Sequence, residues 1–203
     1  MSDPILAQLQ RDLILRPLVQ HLELPPLQSP RDVYVALLRS IISQQLSTKA
    51  ADTIYGRFMG LFPRSYPTPR RLLQLSEADL RGVGLSRQKA QYFTNVARFT
   101  LREKLRSLDW STYSDAGIMD FLGQIKGVGP WTVQMILLFS LGRPDVFPVK
   151  DLIIAQSMVK LYGVEAQGRA QLARLEAIAE AWRPYRSTAC RYLWRWHDQK
   201  KET

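Results

Sequence analysis

The sequence predicts an all-α fold, and three observations support that class. Apolar residues recur with helical spacing nearly throughout the chain, and no segment alternates apolar and polar residues as a strand would. Short loops separate the periodic segments, with no long linker, internal repeat or low-complexity tract. Hydrophobic residues make up 46% and charged residues 23% of the 203 residues, a composition typical of a globular protein.

The first predicted helices come from leucine-rich stretches. One carries Leu6, Leu9 and Leu13 and ends at a later proline. Another presents five apolar residues on one face, namely Tyr34, Leu37, Leu38, Ile41 and Ile42. The mostly polar segment 43–48 interrupts this pattern before the next helix begins.

Later helices are predicted from capping and stop signals. Ser76, with an acidic residue three positions later, predicts a capped helix start. One helix is predicted at 131–141 and another from about Val149 to Leu161, where Gly163 ends it.

Charge and cysteine content narrow the function classes. The net charge of +10 favours a polyanionic partner such as nucleic acid, although a purely solubilising charge is the alternative. The single cysteine, Cys190, excludes an intrachain disulfide and a four-cysteine zinc or iron–sulfur site. No segment reads as a signal peptide or a membrane span, so a cytoplasmic protein is expected, associated with the nucleoid if its source is bacterial.

The most informative segment is a Gly-x-Gly turn between two predicted helices. Gly127 and Gly129 permit a tight turn whose backbone approaches a ligand. The helix that follows begins Pro-Trp-Thr, and its N-terminal N–H groups and dipole suit a phosphate. Gly127, Gly129 and Thr132 are therefore candidate contacts to a nucleic-acid backbone. A plain helix–helix turn is the alternative, and we give that interpretation to residues 82–84 (Gly-Val-Gly).

Asp151 follows Trp131 by 20 residues, behind the loop Asp-Val-Phe-Pro-Val-Lys. This combination resembles the helix-hairpin-helix, Gly/Pro-rich loop and aspartate of the HhH-GPD superfamily of base-excision DNA glycosylases. Four segments resemble its 3-methyladenine DNA glycosylase II (AlkA-like) branch: Gly-Val-Gly-Pro-Trp-Thr, Asp-Val-Phe-Pro, Ile-Ile-Ser-Gln-Gln-Leu-Ser at 41–47 and Trp-Arg-Pro-Tyr-Arg-Ser at 182–187. The resemblance covers roughly residues 30–197.

The resemblance implies a two-lobed helical fold with a DNA-binding cleft. One lobe, 34–142, would contain the hairpin, and the other, 1–33 with 143–203, would carry Asp151. No N-terminal β domain is expected, because few residues precede the matching region. Trp131 stands where bifunctional members carry a lysine nucleophile, so no Schiff base and no lyase step are expected.

The resemblance also assigns the chemistry. Asp151 is implied to be the catalytic carboxylate, which stabilises positive charge on the deoxyribose and activates water; a carboxylate that merely favours a helix N-terminus is the alternative. Trp131 and Trp194 are implied to wall a pocket for a cationic alkylated purine, with core packing as the alternative. Met135 stands where the larger bacterial members of the AlkA-like branch carry a tyrosine, and this difference leaves open which damaged bases the pocket accepts.

Further roles concern the DNA strand. Gln45 aligns with the residue that fills the gap left by a flipped base; Leu46 is the alternative, as is simple capping of the loop. The backbone carbonyls of Gly123, Ile125 and Val128 are implied to hold a structural Na⁺ or K⁺. The basic C-terminal segment either contacts phosphates or forms a solvated face; it includes Arg183, Arg186, Arg191 and Arg195.

The function implied is monofunctional hydrolysis of the N-glycosidic bond of alkylated purines, of the 3-methyladenine and 7-methylguanine type, in duplex DNA. The enzyme would work as a monomer, away from membranes, with no required cofactor and no iron–sulfur cluster. Two alternatives stay open: a glycosylase for another damaged base, and a non-catalytic helix-hairpin-helix protein that binds DNA.

Overall fold

All regular structure in the described part of the chain is helical. The computed structural model describes residues 3–27 and 32–202, and within those ranges no strand occurs, which confirms the predicted fold class. The α-helices are α1 (Pro4–Leu9), α2 (Arg16–His21), α3 (Val33–Ser43), α4 (Thr48–Gly60), α5 (Pro69–Leu72), α6 (Glu77–Gly82), α7 (Arg87–Arg102), α8 (Asp115–Gly123), α9 (Pro130–Met135), α10 (Leu152–Tyr162), α11 (Gly168–Ala179) and α12 (Arg186–Glu202). A π-helical turn, Ile136–Ser140, continues α9, and short 3-10 turns occur at Pro63–Ser65, Leu105–Ser107, Trp110–Thr112 and Glu180–Trp182.

The chain divides into two compact units. The central unit is Gln28–Leu141, and the terminal unit combines Met1–Leu27 with Gly142–Thr203. Among the helices that the structure describes, none combines the length and the apolar composition needed to cross a bilayer.

In the central unit, α3 is the core helix. The five apolar residues predicted on one face of this helix are each 0% exposed, which confirms the prediction. Its neighbours α4, α7 and α9 pack against it. Burying each of the four leucine and isoleucine side chains in this set contributes about 1.5–3 kcal/mol of transfer free energy. Phe58 and Phe93 extend the same core with an edge-to-face contact, their ring centroids 4.9 Å apart.

Caps set several helix ends. Ser76 and Asp79 form the predicted capping box at the start of α6. Gly163 ends α10 in the left-handed conformation, with φ 61°, as predicted. The predicted start of α10 near Val149 is wrong by a few residues, because the side chain of Asp151 caps the helix and makes the next residue its first.

The N-terminal segment differs from the prediction. α1 has only six residues, and Leu13, expected on its apolar face, is 70% exposed. Asp12 causes the break, because its Oδ1 accepts the N–H groups of Ile14 and Leu15 at 2.9 and 3.0 Å. Such local bonds compete with helix continuation. A new helix, α2, then begins with a proline in its first turn.

Asp12 also attaches this segment to the rest of the terminal unit. Its Oδ2 accepts the indole N–H of Trp182 at 2.8 Å and the hydroxyl of Tyr162 at 2.7 Å. Trp182 is 0% exposed, so the contact is part of the core of that unit. Burial alone would raise the pKa of Asp12, but the hydrogen bonds from Trp182, Tyr162 and the backbone hold this pKa below its ordinary value.

Replacing Asp12 by alanine is expected to lower the free energy of unfolding by about 2–3 kcal/mol, because Trp182 and Tyr162 lose a charged acceptor. The folded-state pKa is lowered, so this stabilisation is present above the unfolded-state pKa of about 3.9 and is lost as the pH falls below it. Urea unfolding near neutral pH and again at about pH 3 measures both effects. As a control, Asp198→Ala removes an exposed carboxylate of α12 and should change the free energy of unfolding little. An equal loss of stability in the two variants would contradict the stabilising role of the Asp12 hydrogen bonds.

Candidate functional site

Asp151 stands where the chain enters α10. Its Oδ1 accepts the N–H of Ile154 at 3.0 Å, which caps the helix. The same oxygen accepts the indole N–H of Trp194, from α12, at 3.1 Å. Asp151 is only 8% exposed, and the two donors together with the helix dipole offset the cost of burying its charge. The carboxylate is therefore held in one orientation.

Trp194 is thus a direct partner of the carboxylate, a contact that the sequence did not predict. The two residues are 43 positions apart, and neither spacing nor residue type connects them. The indole of Trp194 is only partly buried, which distinguishes it from the core residue Trp182. Its predicted role as a pocket wall stays a prediction, whereas its hold on Asp151 is a feature of the structure.

Ion pairs tie the loop before Asp151 to the start of α12. Asp145 accepts hydrogen bonds from Nε and Nη2 of Arg186, at 2.7 and 3.0 Å, and pairs with Arg183. The Ser187 hydroxyl donates to the carbonyl of Arg143 at 2.6 Å and accepts the N–H of Val146 at 2.9 Å. The segments Asp-Val-Phe-Pro and Trp-Arg-Pro-Tyr-Arg-Ser, noticed separately in the sequence, therefore form one structure that sets the position of Asp151.

These contacts also account for several of the basic residues near the C-terminus. Arg183 and Arg186 both pair with acidic side chains of their own unit, and Arg191 donates to the carbonyl of Pro25. The charges of Arg183 and Arg186 are thus partly neutralised within the terminal unit, although Arg183 stays exposed to solvent.

Cys190 is buried in α12, one turn before Trp194. It is 0% exposed, and burial, together with the negative charge of Asp151, raises the pKa of its thiol. A protonated, inaccessible thiol is unreactive near neutral pH, so the single cysteine contributes packing and no chemistry.

In the central unit, α3 and α9 border a groove of about 700 Å³. One wall comes from α9 and its π turn, with Trp131, Met135 and Phe139; the facing wall comes from α3, with Ala36, Ser40 and Ser43. The helix predicted at 131–141 is α-helical as far as Met135 and continues as the π turn. The structure brings Trp131 and Met135, the two pocket candidates of this unit, to one wall.

Part of the groove is polar, a feature that no motif in the sequence predicted. The hydroxyl of Tyr66 donates to Oδ2 of Asp32 at 2.6 Å, and burial and this carboxylate raise the pKa of Tyr66. Arg39 pairs with Asp52 at 3.1 Å and lies over the ring of Tyr55, 5.0 Å from its centroid. These residues belong to no recognisable motif, because segments far apart in sequence contribute them.

The polar break after α3 is a tight turn. Gln44 has φ −54° and ψ 124°, Gln45 has φ 58°, and the N–H of Leu46 donates to the carbonyl of Ser43 at 3.2 Å. These values describe a type II turn, which favours glycine or asparagine at the position of Gln45. A longer side chain in the left-handed region costs about 1–2 kcal/mol. Gln45 and Leu46, the two candidates for the gap-filling residue, are both exposed.

The loop between α8 and α9 requires glycine at one position. Gly127 has φ 106°, and an added Cβ would lie 2.2 Å from the ring of Tyr92. Gly129 has φ −94°, and an added Cβ would meet nothing within 4 Å. Gly129 is the N-cap of α9, which no side chain caps. The first glycine therefore sets the turn, and the second keeps the start of α9 uncovered by a side chain.

The side chain of Thr132, a predicted contact to the nucleic-acid backbone, is held inside the central unit. This residue is 2% exposed, and its hydroxyl accepts a hydrogen bond from Nε2 of Gln44 at 3.3 Å. The side chain therefore faces the protein, and the contact predicted for Thr132 stays a prediction that concerns its backbone N–H in the first turn of α9. Gln44 was not among the predicted site residues.

Comparisons of the sequence and of the structure with known proteins point to the family that the sequence motifs resemble. The sequence profile of HhH-GPD superfamily base excision DNA repair proteins matches residues 38–184. DNA-3-methyladenine glycosylase 1 of Schizosaccharomyces pombe is 32% identical over 176 residues, which cover 81% of this chain and 72% of that protein. A Bacillus subtilis relative is 33% identical over 176 residues, and there the chain spans 61% of the relative's length.

A solved structure is similar over nearly the whole chain. The Schizosaccharomyces pombe 3-methyladenine DNA glycosylase in complex with abasic DNA superposes with a TM-score of 0.84 at 29% sequence identity, and the match covers 95% of each chain.

Gly127→Ala is expected to destabilise the protein by about 2–4 kcal/mol, because the new methyl group meets Tyr92 and the residue must keep a positive φ. Gly129→Ala is the matched control, two positions away with open space around its Cα, and should change stability by less than about 1 kcal/mol. Urea unfolding of the two variants measures the difference. Equal stability of the two variants would contradict the assigned roles of the glycines.

Proposed function

Because this chain belongs to the HhH-GPD superfamily of base excision DNA repair proteins, we propose that it is a DNA glycosylase that excises alkylated purines from duplex DNA. The observation that carries this proposal is the buried carboxylate of Asp151, fixed at a helix start by the N–H groups of Ile154 and Trp194. Relatives with the name DNA-3-methyladenine glycosylase support the choice of substrate.

Asp151 acts on the sugar and on water. As the N-glycosidic bond breaks, its electron pair leaves with the base, and positive charge develops on the deoxyribose. A carboxylate fixed beforehand stabilises that charge without having to reorganise. Water adds its oxygen to C1′, and the proton that it loses passes to Asp151. The reaction needs no cofactor, and the bond is cleaved by hydrolysis alone.

The lesion itself supplies part of the driving force. Purines of the 3-methyladenine and 7-methylguanine type are cationic, so the base leaves as a neutral molecule and needs no added proton. The face of Trp131 in the groove attracts a cation by about 0.5–2 kcal/mol, and Met135 gives the same wall a soft, polarisable surface. Trp131 offers no amine, so no Schiff base forms and the DNA backbone stays intact.

The central unit holds the DNA strand. The uncapped start of α9, with Gly127 and Gly129 before it, suits a backbone phosphate. Extrusion of the base leaves a gap in the duplex, which the exposed side chain of Gln45, with Leu46 as its neighbour, fills. The net charge of +10 attracts DNA before any of these contacts form.

A monovalent cation fits the turn after α8. The helix ends at Gly123, and the carbonyls of Gly123, Ile125 and Val128 are neutral oxygen donors of the kind that Na⁺ and K⁺ accept. The carbonyl of Ile125 also accepts the N–H of Val128 at 2.9 Å, and its second lone pair suits the ion. Such an ion would bridge the turn to a phosphate and take no part in bond cleavage.

Asp151→Asn keeps the shape of the side chain and removes its charge. Release of 3-methyladenine and 7-methylguanine from methylated duplex DNA should fall by about 10²–10³-fold, since the developing positive charge loses its counterion. Chromatography of the released bases measures this, and Asp198→Asn, an exposed carboxylate, serves as the control. Affinity for a duplex with an abasic-site analogue should persist. Undiminished base release would instead favour a protein in which Asp151 only caps a helix.

Trp194→Phe keeps an aromatic ring and removes the N–H that holds Asp151. Because this hydrogen bond orients the carboxylate, its loss should lower kcat by about 10-fold. KM should change little, since the aromatic ring still binds the base. Steady-state kinetics on 7-methylguanine DNA separate the two terms. A rise in KM at constant kcat would show that the indole serves only as a wall of the pocket.

A further inference from the structure

Three parts of the central unit meet beside the exposed Gln45. They are the turn of residues 43–46 (the Gln45 turn), the loop of residues 124–129 (the hairpin loop) and the stretch of α7 from Lys89 to Asn95. Hydrogen bonds join each of these parts to the other two.

Lys89 of α7 binds the Gln45 turn. Its Nζ donates to the carbonyls of Gln44 and Ile42, at 2.7 and 2.8 Å. These carbonyls lie at the C-terminal end of α3, whose last turn contains no basic residue, so Lys89 provides from another helix the positive charge that this end favours. Lys89 is partly buried, and that burial lowers its pKa. Hydrogen bonds from a charged ammonium group are stronger than those between neutral groups, so Lys89 stabilises the position of both carbonyls.

The bond from Lys89 to Gln44 selects the type of turn. Type I and type II turns differ by a flip of the central peptide, here the one between Gln44 and Gln45. The flip would turn the carbonyl of Gln44 away from Lys89 and would return Gln45 to a negative φ. The ammonium therefore stabilises the strained form, in which Gln45 has φ 58°.

The side chain of Gln44 joins the turn to the hairpin loop. Its Nε2 donates to the carbonyl of Gly127 and to the hydroxyl of Thr132, both at 3.3 Å. The amide thus bridges the residue with the required positive φ and the first turn of α9. Both partners lie next to the proposed phosphate contact.

α7 completes the connection on its other side. The ring of Tyr92 occupies the space beside Gly127 that a Cβ would need, and Nδ2 of Asn95 donates to the carbonyl of Lys126 at 3.1 Å. Lys89, Tyr92 and Asn95 follow one another at intervals of three residues, on one side of the helix, so this one stretch of α7 contacts both loops.

We propose that Lys89 and Gln44 are positioning residues that lock the Gln45 turn to the hairpin loop, so that gripping the backbone and filling the gap left by the flipped base are one event. The inference rests on the proposed function, which gives the turn its gap-filling role. Loss of the lock leaves the hairpin loop able to bind DNA, but it frees the peptide before Gln45 to flip. The defect should therefore fall on base flipping and excision, with little change in DNA affinity.

Four variants test this proposal. Lys89→Met removes the ammonium group and its two hydrogen bonds, and Lys89→Arg provides a donor of the same charge. Gln44→Met keeps the length of the side chain without its amide. Lys160→Met, at an exposed residue of α10, controls for the lost charge. Single-turnover excision of 7-methylguanine from duplex DNA should slow by about 10-fold in Lys89→Met and Gln44→Met. It should stay within about 3-fold of wild type in Lys89→Arg and should be unchanged in Lys160→Met. Affinity for undamaged duplex should stay close to wild type throughout.

A second readout does not require turnover. The fluorescence of 2-aminopurine, placed next to the lesion, rises when the stack opens, and the rise should be smaller in Lys89→Met and Gln44→Met than in wild type. If Lys89→Met does not fold, Gln44→Met decides, because it keeps the bonds of Lys89 to the backbone of the turn and removes only the side-chain link to the hairpin loop. Wild-type excision and fluorescence in folded Gln44→Met, or an equal loss in Lys89→Met and Lys89→Arg, would overturn the proposal. Failure of the wild type to release any base would instead overturn the proposed function, and the fluorescence would still decide the role of the lock.

Discussion

A negative charge removed from water needs hydrogen-bond donors in its place, and much of the terminal unit serves that need at Asp151. The backbone N–H of Ile154 and the indole of Trp194 meet at one carboxylate oxygen. Asp145 and Arg186 fix the loop that leads to it, and Cys190 lies close by as a neutral thiol. The start of α10 and the placement of α12 follow from this arrangement, so the same contacts that stabilise the unit also hold the carboxylate still.

The central unit depends on a different constraint, which is a pair of backbone positions with positive φ. Gly127 adopts this conformation without strain, whereas Gln45 is strained there and keeps the conformation because several contacts determine it together. Gln44 bonds to the carbonyl of Gly127, and α7 contacts both loops through Lys89 and Tyr92. The groove lined by Trp131 and Met135 lies between α3, which ends at the Gln45 turn, and α9, which begins after the hairpin loop.

The sequence predicted the features that local chemistry controls. The apolar face of α3, the Ser76 capping box and the stop at Gly163 follow from spacing and residue type, and the family follows from motifs in the right order. Leu13 was misplaced because helical spacing continued past Asp12, whose side chain captures the next backbone N–H groups. The contacts of Trp194 with Asp151 and of Lys89 with Gln44 join residues 43 and 45 positions apart. Hydrogen bonds between distant segments leave no periodic trace, so only the folded structure reveals them.

The central claim is that Asp151 faces the sugar from which the base departs. A crystal structure with duplex DNA that holds a positively charged abasic-site analogue tests it most directly, through the distance from the carboxylate to the cationic centre. The account predicts one carboxylate oxygen within about 3 Å of that centre, or joined to it by one water, with the indole of Trp194 still donating to Asp151. A carboxylate turned away from the sugar, beyond the reach of a single bridging water, would contradict the account.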